Sequence, residues 1–461
     1  MDYHILMDFG STFTKAAVVS KQEAKVVYST KQPSSVKTDA RIAMKQCLSD
    51  IEEHLGPEAL VSAEYNASSS AAGGLRMAVI GITDRLSLAA GKNVAFGAGA
   101  KITNIVSGKI TDKQIQELEE APLEMLLFCG GYEKGNRSIL LHNAKTLAAS
   151  SLQCPIIFGG NSAVAAEVRA LLIQEGKECF LVPNIIPNVG ELNTAACEEI
   201  IRDLFMKRIV NMKGLSQIQS KFGDIIPTPA AVLEAGTLFS QGTKQHKGYG
   251  NLMIVDIGGA TTDIHSYAEH VAGEGSKIIG AVEPYAKRTV EGDLGMRESS
   301  DTLIHEAGSA KVVKEVNIDE NALSESIQHR ITNTEFVPES TIEKQIDQTI
   351  AQWAAQLAVR RHVGYWKPIH SSNCTKIQIG KNLGNLPIVI GTGGPIINSQ
   401  DPKHILNKIL KQPEDERLLL PEESQFFLDG DYILYAVGLL SYIDEEFAFE
   451  VMENSILNWK L

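Results

Sequence analysis

The chain opens on short apolar runs separated by brief polar breaks: YHILMDFG (3–10), KAAVVS (15–20) and AKVVYST (24–30). This spacing predicts a meander of antiparallel strands. DARIAMKQCLSDIEEH (39–54) then changes period, with Ile42, Cys47, Leu48 and Ile51 near one face of a helix that Gly56-Pro57 ends. From 58 to about 190 the pattern changes again. Apolar runs such as MAVIGIT (77–83), LEMLLFCGG (123–131), CPIIFGGN (154–161) and CFLVPNII (179–186) alternate with helical stretches. Alternation of this kind predicts a parallel sheet with helical cover. Within it, LLFCGG (126–131) and PIIFGG (155–160) echo each other as strands ending in a glycine pair. Duplication and chance both account for that echo.

Further on, IPTPAAVLEAGTLFSQG (226–242) predicts a helix entered through prolines, which the first turn tolerates. NLMIVDIGGATTDIHSY (251–267) returns to strand, a polar section follows to about 345, and a long helix is expected near 343–363. LPIVIGTGGPI (386–396) reads as a strand into a glycine turn, and DYILYAVGLLSYI (431–443) as a helix containing the small Gly438.

At 461 residues the chain exceeds what one core supports, so two or three domains are expected. Its 43 Lys and Arg against 56 Asp and Glu leave a net charge of −13. That balance argues against broad nucleic-acid binding and against an anionic membrane surface. No apolar run reaches the length of a membrane span, and Asp2 and Asp8 flank the first apolar stretch in place of a basic leader, so a cytoplasmic protein is expected. Cys47, Cys129, Cys154, Cys179, Cys197 and Cys374 are scattered without a CxxC pair, and no HExxH spacing occurs. Reduced, mostly buried thiols are expected in place of a zinc or iron–sulfur site.

Two stretches carry the chemistry. ILMDFGSTFTK and LMIVDIGGATTD are each an apolar strand, an aspartate, a glycine turn and hydroxyl residues opening the next strand. Tight glycine turns bring backbone N–H groups close to phosphate oxygens, and Ser and Thr hydroxyls add donors. Aspartate repels phosphate, but it can hold a hydrated Mg²⁺ that phosphate also binds, or orient a water. Two facing hairpins, each with one aspartate, thus make a clamp for a nucleotide polyphosphate. One such hairpin alone is an ordinary turn. The matched pair, together with the strand that ends in Gly391, Gly393 and Gly394, makes the case.

In this order the elements resemble the actin, sugar-kinase and heat-shock-chaperone ATPase superfamily. Asp8 to Lys15 resembles its first phosphate motif, PTPAAVLEAG (227–236) its first connecting helix and Asp256 to Asp263 its second phosphate motif. Gly391 to Pro395 resembles its adenosine motif, and AVGLL (436–440) its second connecting helix. SSAAGGLRM (69–77), FGGNSAVAAEV (158–168), VEGDLGMR (290–297) and AVRRHVG (358–364) resemble the narrower MutL/GlmL family. Its members are encoded beside cobalamin-dependent glutamate mutase and related aminomutases, and are unrelated to the mismatch-repair protein of the same name.

The resemblance implies an α/β protein of two actin-like, ribonuclease H-like lobes around a nucleotide cleft. The first lobe would cover 1–240 with an α/β insertion at about 58–195, and the second 241–461. It implies a slow, Mg-dependent ATPase that reactivates or assembles a cobalamin-dependent mutase subunit. Asp8 and Asp256 would serve the metal. ATP would lie on Gly10, Ser11, Thr12, Thr14 and Lys15, on Gly258, Gly259, Thr261 and Thr262, and on Gly391, Gly393, Gly394 and Pro395. Many superfamily members carry Glu or Gln where this chain has Thr228, a poorer base, so Asp263 is a second candidate for orienting the water; it also reads as an ordinary strand-end acid. Glu291 and Gly292 read either as a nucleotide border or as a plain helix start. Arg360, Arg361 and His362 read as a helix end or as a contact for phosphate or a partner. A small-molecule kinase of the same fold, a non-catalytic actin-like scaffold and a dehydratase activator are the alternatives, the last lacking suitably spaced cysteines. The oligomeric state stays open, a homo-oligomer included.

Overall fold

The computed structural model describes residues 2–10, 13–36, 38–70, 76–209, 215–368 and 376–461. Strands β1 (Tyr3–Phe9), β2 (Phe13–Ser20) and β3 (Lys25–Pro33) form the expected antiparallel meander, and helix α1 (Arg41–Leu55) leads on towards β4 (Ala63–Ser69), which pairs parallel to β1. The chain then departs into a second sheet. Its strands β5 (Arg76–Gly81), β6 (Lys101–Ser107), β7 (Met125–Gly130), β8 (Ile156–Gly160) and β9 (Cys179–Leu181) are all parallel and ordered β6-β5-β7-β8-β9. Helix α2 (Ala89–Gly97) lies between β5 and β6. The two glycine-ended runs that echo each other are neighbours in register here, Leu126 opposite Ile156 and Gly130 opposite Gly160. The chain returns as β10 (Ile225–Pro227) beside β4, closing the first sheet in the order β10-β4-β1-β2-β3. Because β4 belongs to that sheet, the inserted sheet begins at Arg76, later than the expected start near 58.

Helix α3 (Thr228–Gln241) leads to the second half. There β11 (Leu252–Ile257), β12 (Thr262–Tyr267), β14 (Ala286–Glu291), β17 (Asn385–Thr392) and β18 (Glu423–Leu428) build one sheet ordered β14-β12-β11-β17-β18. Strands β13 (Ser276–Ile278), β15 (Tyr365–Pro368) and β16 (Lys376–Ile379) form a small side sheet. The polar section from 297 onward folds into three short helices over residues 300–332, ahead of the long helix α4 (Thr341–His362). Numbered within each half, both main sheets run 3-2-1-4-5, with the first three strands antiparallel and the last two parallel. This duplicated topology is that of two actin-like lobes.

Alternation along the strands divides the cores. Met7, Phe9, Ala16 and Val18 face a core that also takes in Val79, Leu127 and Cys129 of the inserted sheet. Leu6, Ala17 and Val19 face the other way and meet Ile254 and Ile390 of the second sheet. Between them lie α3 and α5 (Leu434–Ser441), with α6 (Glu445–Ile456) beside them. Gly438 of α5 sits on α3 so closely that a Cβ there would lie 1.9 Å from the Ala231 carbonyl oxygen. The C-terminal helix reaches back to the first lobe, where Asn454 Nδ2 donates to Ala24 O at 3.0 Å. Among the described residues, no helix is long and apolar enough to cross a membrane.

Candidate functional site

The two hairpins are built alike. Gly10 N–H donates to Phe13 O at 3.0 Å and Gly258 N–H to Thr261 O at 2.8 Å, closing equivalent four-residue turns. In each, the aspartate of the first strand faces the second strand and the fourth. Asp8 lies opposite Lys15 and Ser68, and Asp256 opposite Asp263 and Thr392. These side chains share the face of Leu6, Ala17, Ile254 and Ile390. The site therefore caps the core shared by the two lobes, at the carboxyl ends of the parallel strands.

Asp8 is buried, and accepts hydrogen bonds from Thr228 Oγ1 at 2.5 Å and Ser68 Oγ at 3.1 Å. Burial raises its carboxyl above the ordinary range, while the Lys15 ammonium and then the two hydroxyls pull it back. Asp256 is pushed up to about 7, by burial first and then by the Asp263 charge, with Lys15 opposing and Asp429 adding. Asp429, the residue after β18, is 2% exposed. It accepts from Thr392 Oγ1 at 3.0 Å and from the Ile433 N–H at 2.7 Å, and burial pushes its carboxyl to about 6. Lys15 acts electrostatically on all three carboxylates, so a cation of the first hairpin stands among acids of both lobes.

Sequence reasoning missed Asp429. Its signal lies in the duplication: it follows the fifth strand of its lobe and precedes a connecting helix, the place Thr228 holds in the first lobe.

The other expected residues divide by where they sit. Ser11 and Thr12 lie outside the described residues, as do Cys374 and 71–75 of SSAAGGLRM. Thr14 and Thr262 alternate to the face opposite the aspartates. Thr14 is fully buried, and Thr262 Oγ1 donates to Leu294 O at 2.7 Å, so neither hydroxyl faces the cleft. Asp263 is held by Thr261 Oγ1 at 2.8 Å and by Arg288, whose Nη2 lies 2.6 Å from Oδ1. Arg288 also donates through Nη1 to Phe96 O at 3.1 Å, at the end of α2, and so ties the insertion to the second hairpin. The Gly259 carbonyl accepts from the Arg297 N–H at 2.8 Å, which fixes the turn against VEGDLGMR.

Gly391 is the penultimate residue of β17, and Gly394 and Pro395 open the short helix 394–397. Gly393 has φ of +88°, and a Cβ there would lie 2.2 Å from Ile257 O and 2.7 Å from Asp256 Oδ1. Only glycine combines that backbone with that approach. Glu291 ends β14 in place of starting a helix, which begins at Ser300. Arg361 Nη1 donates to Glu291 and to Asp293, each at 2.8 Å, and Gly292 stays open around its Cα. VEGDLGMR and AVRRHVG are thus one ion-paired unit. Beside it, His362 bonds Ser266 Oγ and Thr289 Oγ1, each at 2.7 Å, and Arg360 pairs with Asp415 at 3.0 Å.

Asp8, Asp256 and Asp429 are hard oxygen donors of the kind Mg²⁺ takes, and burial is the main cause that raises all three carboxyls, so a cation beside them would favour their ionised form. Among the described residues, no three His, Cys, Asp or Glu side chains are gathered closely enough to hold a metal unaided. Mg²⁺ usually keeps several waters and takes one or two carboxylates together with phosphate oxygens. Burial pushes the Cys47 and Cys129 thiols up to about 12.

Among solved structures, the chain is similar to the ethanolamine utilization protein EutJ of Carboxydothermus hydrogenoformans (12% identity, 97% of this chain and 90% of that one, TM-score 0.27). It is similar also to a gluconate kinase of Lactobacillus acidophilus (9% identity, 97% and 91%, TM-score 0.33) and a xylulose kinase of Bifidobacterium adolescentis (10% identity, 97% and 92%, TM-score 0.32). At such scores the fold assignment rests on the duplicated strand order instead. A curated relative, Protein MutL of Clostridium tetanomorphum, is 36% identical over 463 aligned residues, 99% of this chain and 100% of that protein. The family model described as MutL protein matches residues 4–456. With a whole-length match to both, the chain belongs to the MutL protein family.

Proposed function

We propose that this protein binds Mg-ATP between its two hairpins, hydrolyses it slowly, and uses the nucleotide state to reactivate or assemble a cobalamin-dependent glutamate mutase or aminomutase. The observation that carries the nucleotide part is the shared register of the hairpins, with Lys15 of one lobe set among Asp8, Asp256 and Asp429. A polyphosphate there would meet the Lys15 ammonium beside the glycine turn of the second hairpin. Bound Mg²⁺ supplies charge neutralisation between phosphate and carboxylate.

Slow turnover follows from the hydrogen bonds. Thr228 already donates its hydroxyl hydrogen bond to Asp8, and Asp263 is ion-paired with Arg288, so neither is a free base for the attacking water. The mutase part rests on the family and on the MutL/GlmL-like stretches. Lobes joined by two helices rotate when nucleotide changes, and a protein gripping both lobes feels that change. ATP shifts such an equilibrium only by its differential affinity for the two states.

The test is reactivation of a cobalamin-dependent glutamate mutase or aminomutase first inactivated with a damaged cobalamin. Recovery is expected with this protein, ATP, Mg²⁺ and fresh cofactor, and complex formation is expected to differ between ADP and ATP. No recovery beyond the control, with no complex under either nucleotide, would overturn the mutase role.

A further inference from the structure

Tyr432 stands in the turn between β18 and α5 with φ of +54°, in the left-handed region that an aromatic side chain adopts only at a cost. The turn is over-determined. Tyr432 N–H donates to Asp429 O at 3.0 Å, and the Ile433 N–H donates to the Asp429 carboxylate at 2.7 Å. Asparagine or glycine would take this backbone more easily, so the ring calls for a reason.

The reason lies across the cleft. Lys15 Nζ of the first hairpin sits over the Tyr432 ring, 4.4 Å from its centroid. The phenol reaches the glycine turn of the second lobe. Asn398 Nδ2 donates to its oxygen at 3.4 Å, and a Cβ on Gly394 would lie 4.0 Å from it. Lysine is a compact charge on a flexible stem. Among three carboxylates such a stem collapses onto the nearest acid. A ring face beneath the ammonium attracts it without neutralising it, and leaves its N–H groups for a stronger anion.

We propose that Tyr432 is a positioning residue for Lys15, an aromatic platform that holds the ammonium in the cleft for the phosphate end of a nucleotide. This rests on the reading of the site as a nucleotide clamp. The left-handed turn is what carries the ring from the end of the second lobe's fifth strand to a lysine of the first lobe, so the platform forms only when the two lobes are apposed.

Calorimetric titration of Mg-ATP into the full-length protein tests it, using Tyr432→Asn, Tyr432→Phe, Lys15→Met and the double variant Lys15→Met/Tyr432→Asn. Asparagine tolerates the left-handed backbone, so the fold is kept while the ring is removed, and a thermal melt checks this. Tyr432→Asn should weaken binding roughly 3- to 30-fold, the range of a cation–π contact from exposed to desolvated. Tyr432→Phe should stay within about twofold, because the ring face remains. In the Lys15→Met background the asparagine change should cost nothing more. Unchanged affinity in Tyr432→Asn, or an equal loss with and without Lys15, would overturn the positioning role alone. Absence of Mg-ATP binding by the unaltered protein would overturn the clamp itself, and this inference with it.

Discussion

Asp256 shows most directly how single residues set the behaviour of the site. Its carboxyl is pushed up to about 7 by burial and by Asp263, and Asp429 follows to about 6. In the unfolded chain both fall near 4. Between pH 4 and 7 these two groups therefore hold more protons in the folded protein than in the unfolded one, and their contribution to stability declines as pH rises through that window. Asp256→Asn should flatten that decline, and thermal melts from pH 5 to 8 read the difference. Cation binding runs the other way. Mg²⁺ needs the ionised carboxylates, so affinity for Mg-ATP should rise between pH 6 and 8 with proton release on binding, measurable by calorimetry in buffers of different ionisation enthalpy. The same scale explains what the sequence concealed. Thr14 and Thr262 look like phosphate donors because they sit among hydroxyls in a glycine turn, yet strand alternation sends both to the face away from Asp8 and Asp256. Asp429 stands in no motif, and only its place after the fifth strand connects it to the site.

Among the elements, the pair of connecting helices joins the two lobes most closely. Gly438 lets α5 lie on α3, and a Cβ there would meet Ala231 O at 1.9 Å. Gly438→Val should force the helices apart and destabilise the protein by about 1–3 kcal/mol or more, read as a lowered melting temperature. An unchanged melting temperature would mean that the helices already slide freely. The strands and connecting helices were legible because each has its own period: apolar runs into glycine turns for β1, β11 and β17, and small residues at helical spacing for α3 and α5. The insertion was legible as an alternation of strands and helices, but its start was not. Strand β4, AEYNASS, carries no apolar run to mark it as a strand, and its parallel pairing with β1 assigns it to the first sheet. Long-range ion pairs left no trace in local pattern. Arg361 joins Glu291 and Asp293 from a helix some seventy residues away in sequence, and Arg288 joins Asp263 to the end of α2.

For the whole molecule, the duplicated sheets put one aspartate hairpin in each lobe, and the core they share puts both hairpins over the same cleft. The insertion is tied to the second hairpin through Arg288, which bridges Phe96 O and Asp263. Everything proposed about the mutase depends on nucleotide binding at this junction. The most direct test is calorimetric titration of Mg-ATP into the unaltered protein and into the Asp8→Asn/Asp256→Asn double variant, with the six-cysteine Cys→Ser variant as control. The clamp predicts Mg-dependent binding that the double variant loses at least tenfold, while the cysteine variant keeps it. Equal Mg-ATP affinity in the double variant and the unaltered protein would contradict it.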